Sequence, residues 1–321
     1  MTMKVVSVLP EAASLRTERG GPSSSGKRTS GVWLKAVTPY GLTSPAIVII
    51  AALALAPAVY GVWLGFTNWQ FLRSTSPHWE GVAAYRAVLT SGAFWSAFGH
   101  TWFWTIGTVI IEVGVGLPLG LLLSRPTKVS GVMTSLLVLP WLTPFVVVSY
   151  AWLYLLGTGG PLHAMLQSLG IVGQTSPLAS TRLALPVMTV ISGWKGLPFM
   201  TIALLAARRS IDDSMYEAAE VDGANKLQRF RLVTLPLLRN VLIVMSVVLG
   251  VLAFYSFDLV WLLTGGGPGS SSTISGVLIY EQFFLNGAPG QAAAMGVSLF
   301  VILLFVSTIS LSITRVNRRG A

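Results

Sequence analysis

Long apolar runs alternate with short polar segments along this chain. Six of the runs reach the length of about twenty residues that a helix needs to cross a bilayer, at roughly 44–66, 98–123, 131–156, 184–207, 240–263 and 292–314. The pattern predicts an all-α integral membrane protein with six transmembrane helices. Residues 1–35 are polar, basic and rich in Ser and Gly, so a disordered tail is expected there and a six-span domain over 36–321. Pro118, Pro140, Pro144, Pro186 and Pro198 interrupt the runs, as in spans that bend around a pathway. Gly61/Gly65 and Gly116/Gly120 have the small-xxx-small spacing that lets helices approach closely, and ordinary packing is the simpler use for it.

Composition agrees: 53% of residues are hydrophobic and only 10% are charged. A net charge of +10 would suit a nucleic-acid partner if the basic residues shared one soluble face, but they sit between apolar runs. Their placement reports topology instead. Of the 21 Lys and Arg, Arg73, Arg86 and Arg182 fall in segments on one side and Lys195 falls inside a span. The others lie on the opposite side, so the positive-inside rule puts both termini in the cytoplasm. There is no cysteine, which excludes disulfides and thiol chemistry. His78, His100 and His163 are irregularly spaced on the outer side and suggest no metal site.

The tail carries GPSSSGKRT, close to a phosphate-binding loop, but Arg28 stands where the Mg²⁺-binding hydroxyl belongs. Neither a strand before it nor a helix after it can be drawn. The chain is therefore not expected to hydrolyse ATP or to bind a cofactor itself.

One segment breaks the apolar pattern. Five of the eleven acidic residues, Asp212, Asp213, Glu217, Glu220 and Asp222, cluster in the stretch between the fourth and fifth runs, on the cytoplasmic side. Asp212 and Asp213 place negative charge where a helix N-terminus favours it, and Gly223 can end that helix in a left-handed conformation. Asn225 can then cap a second short helix before Pro236 starts the fifth span. A helix, a turn and a helix over 208–236, held at both ends by spans, has the shape of a docking element.

Within it, Glu217, Ala218, Ala219, Asp222, Gly223 and Ala224, followed by Leu235 and Pro236, fit the pattern E-A-A-x-x-D-G-A…L-P. This resembles the signature loop of permease subunits of binding-protein-dependent ABC importers. WKGLPF at 194–199, FDLVWLLTGGGPGSS at 257–271 and IYEQFF at 279–284 are similar to carbohydrate permeases of the maltose and glycerol-phosphate type. The resemblance covers most of 40–315 and implies a type I importer permease fold in a prokaryotic plasma membrane. It further implies a second homologous permease subunit, an ABC ATPase dimer holding ATP and Mg²⁺, and an extracytoplasmic solute-binding protein. The loop would couple the spans to the ATPase. Because the chain stops soon after its sixth run, it looks like the first partner of such a pair. His163 stands where family members often carry Asn, so no role passes to it.

Glu112, Lys195 and Asp258 lie within the apolar runs, where a lone charge costs roughly 2.5–3.5 kcal/mol on insertion scales. Glu112 and Lys195 can pair across the bundle or line a wet cavity. For a sugar-like substrate, Trp152, Trp194, Phe199 and Tyr255 can supply aromatic faces, while Ser192, Lys195, Asp258 and Glu112 supply polar groups. Packing, interfacial anchoring and helix register are alternative uses for the same residues. An ion-gradient-driven transporter with Glu112 and Asp258 as ion sites is the competing reading, but it leaves the charged loop without a task. An intramembrane enzyme lacks a catalytic set.

Overall fold

The computed structural model describes residues 30–73, 76–125, 127, 128 and 130–319. The expected tail lies outside them for residues 1–29, and the first helix starts at Ser30. The fold is all-helical. Among the described residues there is no strand, only one isolated bridge between Thr67 and Trp79.

The helices are α1 (Ser30–Leu64), α2 (Ala83–Leu89), α3 (Gly92–Leu123), α4 (Ser130–Leu142), α5 (Phe145–Leu156), α6 (Pro161–Ser168) and α7 (Ala184–Arg209). They continue with α8 (Ser214–Val221), α9 (Lys226–Arg229), α10 (Leu235–Phe254), α11 (Asp258–Thr264), α12 (Ser275–Tyr280) and α13 (Pro289–Arg319). One π-helical turn, Phe230–Thr234, joins α9 to α10, and another, Glu281–Leu285, follows α12. The chain divides at Pro57: α1 up to that residue is one unit, and Ala58 onward is the other. In the first unit Ile47, Ile50 and Leu53 are exposed, an apolar surface that in a bilayer meets lipid or another chain.

Four stretches are long and apolar enough to cross a membrane: Thr43–Leu64, Gly92–Leu123, Ala184–Arg209 and Lys226–Phe254. The third apolar run forms a fifth only as a broken pair, α4 and α5, bent by 95°. The break has a local cause. Pro144 lacks an N–H and disfavours helical geometry at Thr143, so the helix stops and restarts. The sixth apolar run lies within α13, which continues as one helix from Pro289 to Arg319. The fifth apolar run ends sooner than its hydropathy suggests. The helix stops at Phe254, and Asp258, expected inside the span, is instead the first residue of the separate helix α11.

The most extensive helix pairing is α3 along α7. It is close because glycines remove side chains where the helices meet. A β-carbon at Gly116 would lie 2.8 Å from Met200 Cγ, one at Gly120 3.0 Å from Leu204 Cβ, and one at Gly193 2.6 Å from Ile111 Cγ2. Without a hydrophobic drive between helices in lipid, such close van der Waals contact carries association. Pairing of Gly116 and Gly120 with α7 is thus an intramolecular packing role. Nearer the start of α3, Trp104 is fully buried in a cluster with Met188, Ile191, Val260 and Ile274, and its indole N–H donates to the carbonyl of Ala253 at 3.1 Å.

Candidate functional site

Two constructions stand out, one at the break in the third span and one in the loop after α7.

At the break, α4 ends with carbonyls that have no helical partner. The carbonyl of Pro140 would normally accept from residue 144, but Pro144 has no N–H to give. Lys195, on α7, fills the gap. Its ammonium donates to the carbonyls of Pro140 at 3.0 Å, Trp141 at 3.4 Å and Thr143 at 2.7 Å, and it lies 4.5 Å from the centre of the Phe145 ring. Three donors thus meet three acceptors at the negative end of a helix. The side chain is 6% exposed, so the charge is compensated by backbone rather than by water. No ion pair joins Lys195 to Glu112; among the described residues the two ion pairs are Arg208–Asp213 and Arg229–Glu220.

Aromatic rings flank the break. Trp152 packs edge-on against Trp194 with centroids 5.6 Å apart, and Trp141 does so against Phe199 at 4.8 Å. Trp194 and Phe199 keep about two-fifths of their surface exposed, at 40% and 39%. Lys195 and Phe199 therefore meet the break together with Trp141 and Phe145, while Trp194, next to Lys195 on α7, pairs with Trp152 on α5. Trp141 and Phe145 had no sequence signal beyond flanking Thr143–Pro144. Ser192 is half-buried on the same helix.

The remaining candidates lie elsewhere. Glu112 is buried in the α3–α7 seam, where its carboxylate occupies the space a side chain on Gly196 would need, and its Oε2 has no hydrogen-bond partner. Tyr255 and Asp258 are exposed at the α10–α11 break, and among the described residues no hydrogen bond, ion pair or ring contact joins them to the Lys195 group. The aromatic residues of the FDLVW and IYEQFF stretches form a packed cluster. Phe257 stacks on Trp261 at 5.8 Å, Trp261 meets Tyr280 at 4.6 Å, and Tyr280 meets Phe284 at 4.9 Å.

In the loop, Asp212 lies two residues before α8, and its Oδ1 accepts from the N–H of Ser214, the first residue of that helix, at 2.9 Å. That backbone hydrogen bond, helped by the Ser214 side chain, holds the Asp212 carboxyl below the ordinary aspartate value. This bond is therefore present at neutral pH and is lost as pH falls through the lowered value. At the other end Gly223 takes φ +79°. Its N–H donates to the carbonyl of Glu220 at 3.0 Å while that of Ala224 reaches Ala219 at 2.9 Å, the paired bonds of a Schellman ending. Asn225 and Gln228 then form a reciprocal capping box for α9, at 2.8 and 2.9 Å.

Contacts tie this unit to the span ends. Arg208, at the end of α7, bonds Asp213 at 3.2 Å and covers the Tyr216 ring at 4.1 Å. The Tyr216 hydroxyl lies 3.1 Å from Thr234 Oγ1, and Arg229 bonds Glu220. What remains outward is unpartnered. Glu217, Ala218, Asp222 and Gly223 are exposed, as are Met215 (50%), Val221 (88%), Leu227 (56%) and Leu232 (72%), while Ala219 and Ala224 are half-buried.

Residues 113–319 match the family described as binding-protein-dependent transport system inner membrane component, and the chain belongs to that family. It is a membrane-embedded permease component of a transporter that works with a binding protein. It is 29% identical to the trehalose/maltose transport system permease protein MalF of Thermococcus litoralis, over 87% of this chain and 94% of that one. It is 30% identical to the sulfoquinovosyl glycerol transport system permease protein SmoG of Agrobacterium fabrum, over 85% and 89%. Its fold matches a chain of a bacterial alginate ABC transporter solved with an alginate pentasaccharide-bound periplasmic protein. The TM-score is 0.76 at 21% identity, covering 88% of this chain and 96% of that one.

Proposed function

We propose that this chain forms half of the translocation pathway of an ATP-driven importer for a sugar or sugar derivative. A second, homologous permease subunit supplies the other half. The chain spans the membrane six times with both termini in the cytoplasm. Segment 208–236 docks on a separate ABC ATPase dimer, which holds ATP and Mg²⁺, and an extracytoplasmic binding protein delivers the solute. The chain itself is not an enzyme.

The observation that carries this reading is the build of the loop. Its inner side is bound to the ends of α7 and α10 through Arg208, Tyr216 and Thr234, while its outer side, with Glu217, Ala218, Asp222 and Gly223, is open. A rigid element fixed to two spans and free on one face transmits a push from a partner. The carbohydrate assignment is supported by the named substrates of the relatives and by the half-exposed aromatic rings at the α4–α5 break, whose faces suit sugar rings. The gradient-driven reading has less support: Glu112 sits in a packed seam, and Asp258 has left the span.

The test is uptake into proteoliposomes holding the assembled complex, with binding protein and a panel of labelled sugars. Uptake that requires ATP and survives collapse of ion gradients is the expected result. Uptake that follows an ion gradient without ATP would overturn the proposal.

A further inference from the structure

The inner side of the loop encloses something the coupling role does not use. A cavity of about 340 Å³, at the low end of the roughly 300–1,000 Å³ of ligand pockets, lies between the end of α3, the end of α7, α8, α9 and the π-helical turn. Arg125, Arg208, Lys226 and Arg229 line it, with Tyr216 and Phe230 among its walls. Four cations converge on one small space, and carboxylates offset only part of that charge. The Arg208 and Arg229 side chains are 21% and 22% exposed, whereas their partners Asp213 and Glu220 are 81% and 68% exposed. Arg208 and Arg229 are thus the shielded members of their pairs, with the carboxylates more exposed, while Arg125 and Lys226 line the same space from exposed positions. Arg125 and Lys226 have no ion pair and no side-chain hydrogen bond among the described residues.

A cavity of this kind holds an anion with several acceptor oxygens. Guanidinium groups satisfy phosphate oxygens through charge-assisted, often bidentate bonds, and an ammonium adds a point charge. The cavity lies where two spans leave the membrane, and basic pockets between helices at the cytoplasmic surface recruit lipid headgroups. We propose that this cavity is a phosphate-binding site, filled by the headgroup of an anionic phospholipid or by a soluble phosphate. Because its walls come from α3, α7, α8 and α9, an occupied site would stiffen the joint between the loop and the spans. The proposal rests on the cytoplasmic placement of the loop argued above.

The experiment uses the assembled complex, purified with its ATPase, in phosphatidylcholine nanodiscs with or without phosphatidylglycerol. Native mass spectrometry counts phosphatidylglycerol retained after release from the disc, with inorganic phosphate as competitor. The double variant Arg125→Gln/Lys226→Gln removes charge without breaking an ion pair, and Arg125→Lys/Lys226→Arg keeps it. Retention by the wild type that falls roughly tenfold in the first variant and recovers in the second supports the site. In that case, insensitivity to inorganic phosphate identifies the lipid headgroup as occupant, and displacement by it identifies soluble phosphate. Equal retention by all three forms, with the ATPase still bound, overturns the proposal. Loss of the ATPase in the glutamine variant with retention unchanged also overturns it, because the cations then serve the protein interface. If the wild type itself lacks an ATPase partner, the coupling reading fails first, and the retention data still decide the site.

Discussion

Lys195 is the residue whose chemistry is most fully accounted for. A lysine in an apolar span is costly, and here the cost is offset because a proline one helix away has left carbonyls without donors. Replacing it by Met would leave the carbonyls of Pro140, Trp141 and Thr143 unsatisfied, at about 1–3 kcal/mol for each buried orphan. The thermal midpoint of the purified chain should fall clearly, and an unchanged midpoint would mean that water serves these carbonyls as well as the ammonium does. Gly223 gives a second prediction. At φ +79° a side chain is strained, least of all for Asn, so Gly223→Asn should retain uptake. Gly223→Pro should let ATP hydrolysis continue while transport falls, as measured by the ratio of ATP consumed to sugar imported. Coupling at the wild-type ratio would contradict the role given to this turn. Both ends of α8 were legible in the sequence because caps are decided within a few residues. The Lys195 bonds were not, since they link positions 52 to 55 residues apart.

At the scale of elements, the α3–α7 seam determines how the bundle packs. Gly120→Leu would drive a side chain into Leu204 and the Thr201 carbonyl. Overpacking of this kind costs about 1–3 kcal/mol, so the variant should unfold at lower temperature, whereas Gly99→Leu, where a β-carbon meets nothing within 4 Å, should not. Equal midpoints would show that the seam relaxes freely. Hydropathy located every long helix here but misjudged two ends. It cannot register that Pro144 turns one span through 95°, because a proline reveals a break and not its angle. It also ran the fifth span through Asp258, since VLAFYSFDLVWLL is almost uninterruptedly apolar while the backbone leaves the helix at Tyr255. The spacing of Gly116 and Gly120 was visible as a contact surface. That Met200 and Leu204 meet it from α7, with Gly193 and Gly196 making room for Ile111 and Glu112 along the same seam, could only emerge in three dimensions.

For the whole molecule, family membership and fold establish a permease, and the loop geometry explains how such a permease would be driven. An apolar chain with exposed rings at a broken span and one charged loop open on its outer face makes sense as part of an assembly. The open side of α8 is a surface that the described residues leave uncovered. The central claim is that segment 208–236 is the mechanical link to an ATPase. Its most direct test is to purify the tagged chain from its native host in mild detergent, intact and with residues 212–231 replaced by a flexible linker, and to identify what accompanies each by mass spectrometry. The account predicts an ABC ATPase and a second permease with the intact chain, and the second permease without the ATPase when the loop is replaced. An ATPase that stays bound without the loop, or is absent from both forms, would contradict it.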